Sequence, residues 1–376
     1  MASGCGEVEG AEAPLRIVGD DPTDQPLASL TAEERRVFDE GDALFDRTYR
    51  ESQGLGPVYI RARCASCHEA DSRGPGAVER MIAVEADGFT PARDQSVMPW
   101  GPVLRPLYAP PATRGITAPA RIDGLLASRR VGPAVFGRGW MEAIEDREIE
   151  RVAAEQAAGA VLRGRVPRLM DGRVGRFGLK SRVVTLDEFS ADALRGDMGI
   201  TSPVFPDEVP NPEGITDDAV PGTDVGTEVV RALGGYVQGL AIPRRGAQDP
   251  LGRSAFERAG CAGCHVPSLA TRADAPIAAM RGARAEVYSD MLLHDMGTSL
   301  ADGSVEGAAG PCDWRTAPLI GLRFFRAFLH DGRARSLDEA VRMHRGDGSE
   351  ANDSVDRYAA LPDPERRALL AFLQTL

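Results

Sequence analysis

The chain has 376 residues, of which 43% are hydrophobic and 27% are charged, a composition typical of a folded protein rather than a disordered one. Its 44 basic and 56 acidic residues give a net charge of -12, and no block of Lys and Arg marks a nucleic-acid-binding face. No run of 18 apolar residues occurs, so the sequence predicts no transmembrane span.

The amino-terminal segment is rich in Gly, Pro, Asp and Glu and has no hydrophobic periodicity, which predicts a flexible tether over residues 1–30. The residues before Cys5 are similar to the end of a lipoprotein signal, so Cys5 is a candidate lipid anchor. A capping box formed by Thr31 and Glu34 predicts that the first helix begins directly after the tether.

The pattern C-x-x-C-H occurs twice in the chain. Each copy supplies two thiols and a histidine: Cys64, Cys67 and His68 in the first, and Cys261, Cys264 and His265 in the second. This is the attachment pattern of haem c, in which the thiols bond to the haem vinyl groups and the histidine binds the iron. A zinc ribbon and a redox dithiol are the alternatives, but neither requires a His after the second Cys. The sequence therefore predicts two covalently bound haem c groups.

Attachment of haem c normally follows export, so the two motifs also indicate the periplasm or the cell surface. No His lies between His68 and His265, so the first iron has no distal His within its own domain. The candidates for its sixth position are Met98 and an open site that holds water. An open iron is what peroxide chemistry requires.

Between the motifs, strand signals are sparse, and residues 182–185 (Arg-Val-Val-Thr) are the best of them. A capping box at Thr185 and Glu188 predicts another helix. Five prolines among acidic residues between positions 203 and 222 predict a linker. We expect a mainly α fold with long loops and little β structure: an N-terminal haem c domain over 31–205, a linker over 206–223 and a C-terminal cytochrome c-like haem domain over 224–376.

In the carboxyl-terminal part, further capping boxes run from Ser254 to Glu257 and from Ser336 to Glu339. A last helix is predicted to begin at Asp363, because Pro follows that residue and an apolar stripe follows the Pro. The stripe consists of Ala368, Leu369, Phe372, Leu373 and Leu376.

Several sequence blocks carry a family likeness. They are residues 53–57, 175–180, 197–203, 293–297, 314–319 and 329–334. They resemble the signature blocks of the bacterial di-haem c-type oxidoreductase family, whose members are described as peroxidases or thiol oxidoreductases. More distantly, the chain is similar to di-haem cytochrome c peroxidases and to the di-haem enzyme of methylamine utilisation. Residues 94–101 and 155–163 depart from the family pattern, and both lie in the predicted N-terminal haem domain.

The resemblance implies two facing cytochrome c-like domains and a peroxidase-like oxidoreductase. Electrons would pass from a small redox protein or another donor through the C-terminal haem to the N-terminal haem, where peroxide or a protein substrate reacts. It also implies a calcium ion between the domains. The alternative is a non-catalytic di-haem electron-transfer cytochrome, and a haem-based sensor or iron-uptake accessory is a third class.

The resemblance also suggests roles for single residues. In the peroxidases a Met binds the C-terminal haem shortly after the His-Asp-Gly block; His344 stands at that place here, and Met343 is its rival. Glu142 falls where the peroxidases carry a distal Glu, so it is the candidate proton carrier, with a helix-surface carboxylate as the alternative. We expect a hydrogen-bonding role for His330. For His294, a distal ligand, a propionate partner and a buried structural His stay open.

Overall fold

The computed structural model describes residues 22–72, 76–120, 123–159 and 161–376, so the candidate anchor Cys5 lies outside the described residues. The helices of this part of the chain are α1 Ala32–Phe45, α2 Arg138–Ala143, α3 Asp146–Ala158, α4 Leu186–Met198, α5 Thr227–Gly239, α6 Pro250–Arg258, α7 Leu337–Arg342, α8 Asn352–Ala360 and α9 Asp363–Thr375. The strands are β1 Val58–Tyr59, β2 Ala77–Ala83, β3 Leu107–Tyr108, β4 Leu125–Val131, β5 Leu269–Ala270, β6 Arg284–Ala285, β7 Leu293–Asp295 and β8 Asp313–Arg315.

The strands pair antiparallel into small two-stranded sheets, β1 with β3, β2 with β4, β5 with β6 and β7 with β8. Among the strands of the described ranges, only β2 and β4 reach seven residues, and Ala77 at the start of β2 faces Val131 at the end of β4. The described residues therefore form a mainly α fold with little β structure, as the sequence predicts.

Three of the four predicted capping boxes begin helices. Thr31, Thr185 and Ser336 each accept a hydrogen bond from the backbone N–H three residues later, at the starts of α1, α4 and α7. The fourth prediction is wrong, because Ser254 lies inside α6 and Asp249 caps that helix. Asp249 is followed by a Pro in the first helical turn, and that pair is itself a strong start signal.

The strand prediction for residues 182–185 is also wrong. Val183 forms only an isolated bridge with Phe177, and Thr185 is already the cap of α4. The two longest strands carry charged residues among their apolar ones, Glu79 and Arg80 in β2 and Arg129 and Arg130 in β4, which hides their alternation in the sequence. These two segments form strands because they pair with each other, and the local sequence pattern does not indicate that pairing.

Two groups of helices build the hydrophobic core. In the first, α5 packs against α1 and α4, and the approach to α1 is so close that a Cβ on Gly41 would lie 2.0 Å from Ala232 O. In the second, α6 packs against α9, and the rings of Phe256 and Phe372 lie 5.5 Å apart. The predicted apolar stripe of α9 is confirmed, since its residues are buried on the side of this second group.

Part of the predicted tether packs on the folded body. Leu27 is buried, and its N–H donates a hydrogen bond to Gly239 O at the end of α5. The described part of the tether, from residue 22, therefore contributes to the core before α1 begins. None of the helices in the described ranges is both long and apolar enough to cross a membrane.

Candidate functional site

The first C-x-x-C-H motif forms a tight turn that presents its histidine to a cavity. Cys64–Ser66 form a 3-10 turn, and the N–H groups of Cys67 and His68 both donate to Cys64 O. His68 Nδ1 donates a hydrogen bond to Pro133 O at 2.7 Å. Burial lowers the pKa of His68 to about 4. The imidazole is therefore neutral at neutral pH, with Nε2 left to bind a metal.

The second motif repeats this arrangement. Cys261–Gly263 form the same kind of turn, and His265 Nδ1 donates to Tyr288 O at 3.1 Å. Burial, followed by the charge of His344, lowers the pKa of His265 to about 4. In both histidines the ring is neutral, Nδ1 carries the proton, and a backbone carbonyl fixes the orientation of the ring. This is the state of a histidine that binds a metal through Nε2.

Each motif lines its own cavity. The first cavity, of about 990 Å³ including its open mouth, contains Cys64, Cys67 and His68. The second, of about 1560 Å³ on the same measure, contains Cys261, Cys264 and His265. Apolar side chains dominate both linings, as they do in most cofactor sites. Leu179 and Arg315 line both, so the two cavities adjoin.

The cysteines of both motifs are free thiols. Burial raises the pKa of Cys64 to about 12 and that of Cys261 to about 12, so both thiols are protonated at neutral pH. Within the described ranges, no metal-ligand cluster joins the two cysteine pairs, as a zinc ribbon would require. The donor set in each cavity fits haem c better than zinc.

His344 lines the second cavity together with His265, whereas Met343 is 37% exposed and does not. His344 Nδ1 donates to Ala340 O at 2.6 Å, and burial lowers the pKa of its imidazole. It is therefore a second neutral histidine with Nε2 left to bind a metal. This geometry favours His344 over Met343 as the partner of His265.

The two remaining histidines have different surroundings. His294 is buried between two carboxylates: Nε2 donates to Asp290 at 2.9 Å, and Nδ1 donates to Glu350 at 2.8 Å. Burial lowers the pKa of His294, but hydrogen bonds with Asp290, the Cys264 thiol and Glu350 raise it to about 12, and neither nitrogen is left for iron. His330 lines the second cavity and stacks on Trp314, with ring centroids 4.0 Å apart.

Met98 does not line the first cavity; it lies in the loop between β2 and β3. Met141 of α2 and Met198 of α4 do line it, and both are buried. The sequence alone does not single them out, although Met198 lies in one of the family-like blocks. Arg138 Nη1 donates a hydrogen bond to Met141 Sδ at 3.1 Å.

Glu142 is buried but does not line either cavity. Its carboxylate accepts hydrogen bonds from Leu186 N–H at 3.0 Å and from Gln238 Nε2 at 2.7 Å. Asp197 of α4, which lies in one of the family-like blocks but has no predicted role, is the carboxylate that lines the first cavity within the described ranges. Burial raises the pKa of Asp197 to about 6, which is the range of a proton carrier at neutral pH.

Outside both cavities, the carboxylates of Glu208, Asp218 and Asp224 converge, with one oxygen of each within 4.8 Å of the others. Burial, followed by repulsion from Asp218 and Asp224, raises the pKa of Glu208 to about 8. The three side chains follow α4 in the chain and precede α5, in the proline-rich segment.

Comparison with known proteins agrees with the motifs. A family model described as "Di-haem oxidoreductase, putative peroxidase" matches residues 114–376. That range contains the second motif, whereas the first motif precedes it. No curated protein sequence matches the chain.

Among solved structures, the chain is similar to hydrazine synthase of Kuenenia stuttgartiensis, with 13% identity over 100% of both chains and a TM-score of 0.38. A MauG-like protein associated with microbial copper homeostasis is 14% identical over 100% of this chain and 95% of that chain, with a TM-score of 0.43. The diheme peroxidase BthA from Burkholderia thailandensis E264 is 15% identical over 91% of this chain and 86% of that chain, with a TM-score of 0.43. On the family match, the chain belongs to the di-haem oxidoreductase family.

Proposed function

We propose that the chain carries two covalently bound haem c groups, one in each cavity of two cytochrome c-like domains. Cys64, Cys67 and His68 would hold the first, and the second motif would hold the other. The observation that carries this proposal is the repeated arrangement of two free thiols beside a neutral histidine whose Nδ1 donates to a carbonyl. The proposal includes the predicted domain boundaries, with the N-terminal haem domain over 31–205 and the C-terminal haem domain over 224–376.

At the second site, we propose that His265 and His344 would together hold the iron of the bound haem. Both imidazoles are neutral, and both use Nδ1 to donate to a backbone carbonyl. Electrons from a small redox protein would enter here and pass to the first site, which adjoins it through Leu179 and Arg315.

At the first site, we propose peroxidase-like chemistry. When bound, the haem supplies a redox-active iron that can react with peroxide. The residues of the chain would hold the haem and supply a proton. His68 is oriented by Pro133 O, and Asp197 can carry a proton at the cavity wall. A general acid must lie within hydrogen-bond reach of the reacting atoms, which favours Asp197 over the predicted Glu142.

The contacts of Glu142 support a positioning role. Its carboxylate accepts hydrogen bonds from Leu186 N–H at the start of α4 and from the Gln238 side chain of α5, so it links α2 to both helices.

The periplasmic or cell-surface location, the lipid anchor at Cys5 and the calcium ion between the domains stay predictions from the motif and the resemblance.

The second candidate function is a non-catalytic electron-transfer cytochrome. It is favoured by Met141 and Met198, because either thioether at the cavity wall would hold the first iron in place of peroxide. Optical and EPR spectra of the oxidised and half-reduced protein decide between the two functions. Peroxidase chemistry predicts a high-spin population that responds to hydrogen peroxide. Two low-spin irons in both states, without a response to peroxide, would support the electron-transfer cytochrome.

A further inference from the structure

The wall between the two cavities contains a partly buried arginine. Within the described ranges, Leu179 and Arg315 are the residues common to both linings. Their backbones are joined directly, since Arg315 N–H donates to Leu179 O at 3.0 Å. Arg315 is the last residue of β8, which pairs with β7 and thereby fixes the position of the arginine backbone.

The guanidinium of Arg315 lacks an acidic partner within the described ranges. Nη1 donates to Thr316 O at 2.8 Å, while Nε is buried without an acceptor. Asp290 is the acid whose charge acts on Arg315, but its carboxylate already accepts hydrogen bonds from His294 and Gln156. Desolvation by the surrounding protein lowers the pKa of Arg315 to about 10, so the side chain is still charged at neutral pH.

A desolvated cation without a counter-ion is costly, and native proteins normally pair it. Two buried cations elsewhere in this chain follow that rule, whereas buried Arg105 donates to the backbone carbonyls of Gly196 and Val103 instead. Lys180 pairs with Asp302 at 2.9 Å, and Arg130 pairs with Glu306 at 2.6 Å. An anion that enters the cavities would give Arg315 the partner that the described part of the chain does not supply.

We propose that Arg315 binds propionate carboxylates of both haems and is thus a shared electrostatic anchor between the two cavities; this rests on the proposed function. A guanidinium has several N–H donors in a planar fork, so it can bind carboxylates on two sides. Lys at this position would keep the positive charge but lose the planar set of N–H donors.

The test is a redox titration of the holoprotein with Arg315→Gln and Arg315→Lys. A nearby positive charge favours the reduced iron, so its removal in Arg315→Gln lowers both midpoint potentials. Arg315→Lys lowers both by less. Arg63 lines the first cavity only, so Arg63→Gln is the matched control and changes at most the potential of the first haem.

If Arg315→Gln moves one potential or neither, the shared anchor is refuted. If Arg315→Gln does not fold, the measurement is made on Arg315→Lys. Unchanged midpoint potentials in Arg315→Lys would refute the binding of both propionates by the guanidinium. A pyridine haemochrome assay of the wild type separates the two proposals: fewer than two haems per chain refutes the proposed function, whereas two haems with unmoved potentials refutes only the role of Arg315.

Discussion

Lys180 is the only lysine of the chain, and its substitution by Met should lower stability measurably. The side chain is fully buried. Its Nζ donates to Ser304 O at 2.8 Å, Gly310 O at 2.8 Å and Pro311 O at 3.2 Å, and it pairs with Asp302 at 2.9 Å. Met preserves most of the apolar stem and removes all of these contacts.

Removing one partner of a buried ion pair costs about 3–5 kcal/mol. Asp302 keeps its pairing with Arg130, so we expect Lys180→Met to fall within this range and not above it. At about 2.1 cal/mol/K per residue, the entropy of unfolding of the 376-residue chain is about 0.8 kcal/mol/K. The expected decrease in Tm is therefore about 4–6 °C, measured by calorimetry of the holoprotein.

Arg36→Met is the matched control for this measurement. Arg36 also loses ion pairs, with Glu33 and Glu40, but all three side chains are exposed, so Tm should not change. A decrease below about 1 °C for Lys180→Met would show that the buried contacts of Lys180 contribute no more to stability than exposed ones.

Four further results are expected. His344→Met should raise the midpoint potential of one haem, since Met ligation raises it, and an unchanged titration would place His344 outside the coordination sphere. His294 has a folded pKa raised above its unfolded value, so the stability it contributes is fully present below about pH 6.5 and is lost as pH rises towards about 12. His294→Gln should therefore destabilise more at pH 6 than at pH 9 in urea unfolding; an equal loss at both would contradict this. Asp197→Asn should slow the reaction with peroxide about a hundredfold in stopped-flow measurements. Glu142→Gln should slow it less, and the reverse order would restore Glu142 as the proton carrier.

The sequence predicts the parts of the site that are local. The two C-x-x-C-H motifs and the helix starts at Thr31, Thr185 and Ser336 depend on neighbouring residues, so their patterns are visible in the chain. The choice between His344 and Met343 needs the structure, because only the packing decides which neighbour faces the cavity.

The remaining residues of the site come from distant segments. Met141 and Asp197 reach the first cavity from α2 and α4, and Arg315 reaches it from β8. No local pattern indicates that these elements meet. Met98 follows the first motif in the chain, which makes it a candidate ligand by position, yet the loop that carries it lies away from the cavity wall.

The most direct test of the proposed function counts covalently bound haem. A pyridine haemochrome assay, normalised to protein and combined with intact-protein mass spectrometry, should give two haem c groups per matured chain. Cys64→Ala combined with Cys67→Ala should leave one. Zinc in place of iron, or haem that acid acetone extracts, would contradict covalent attachment of two haem c groups.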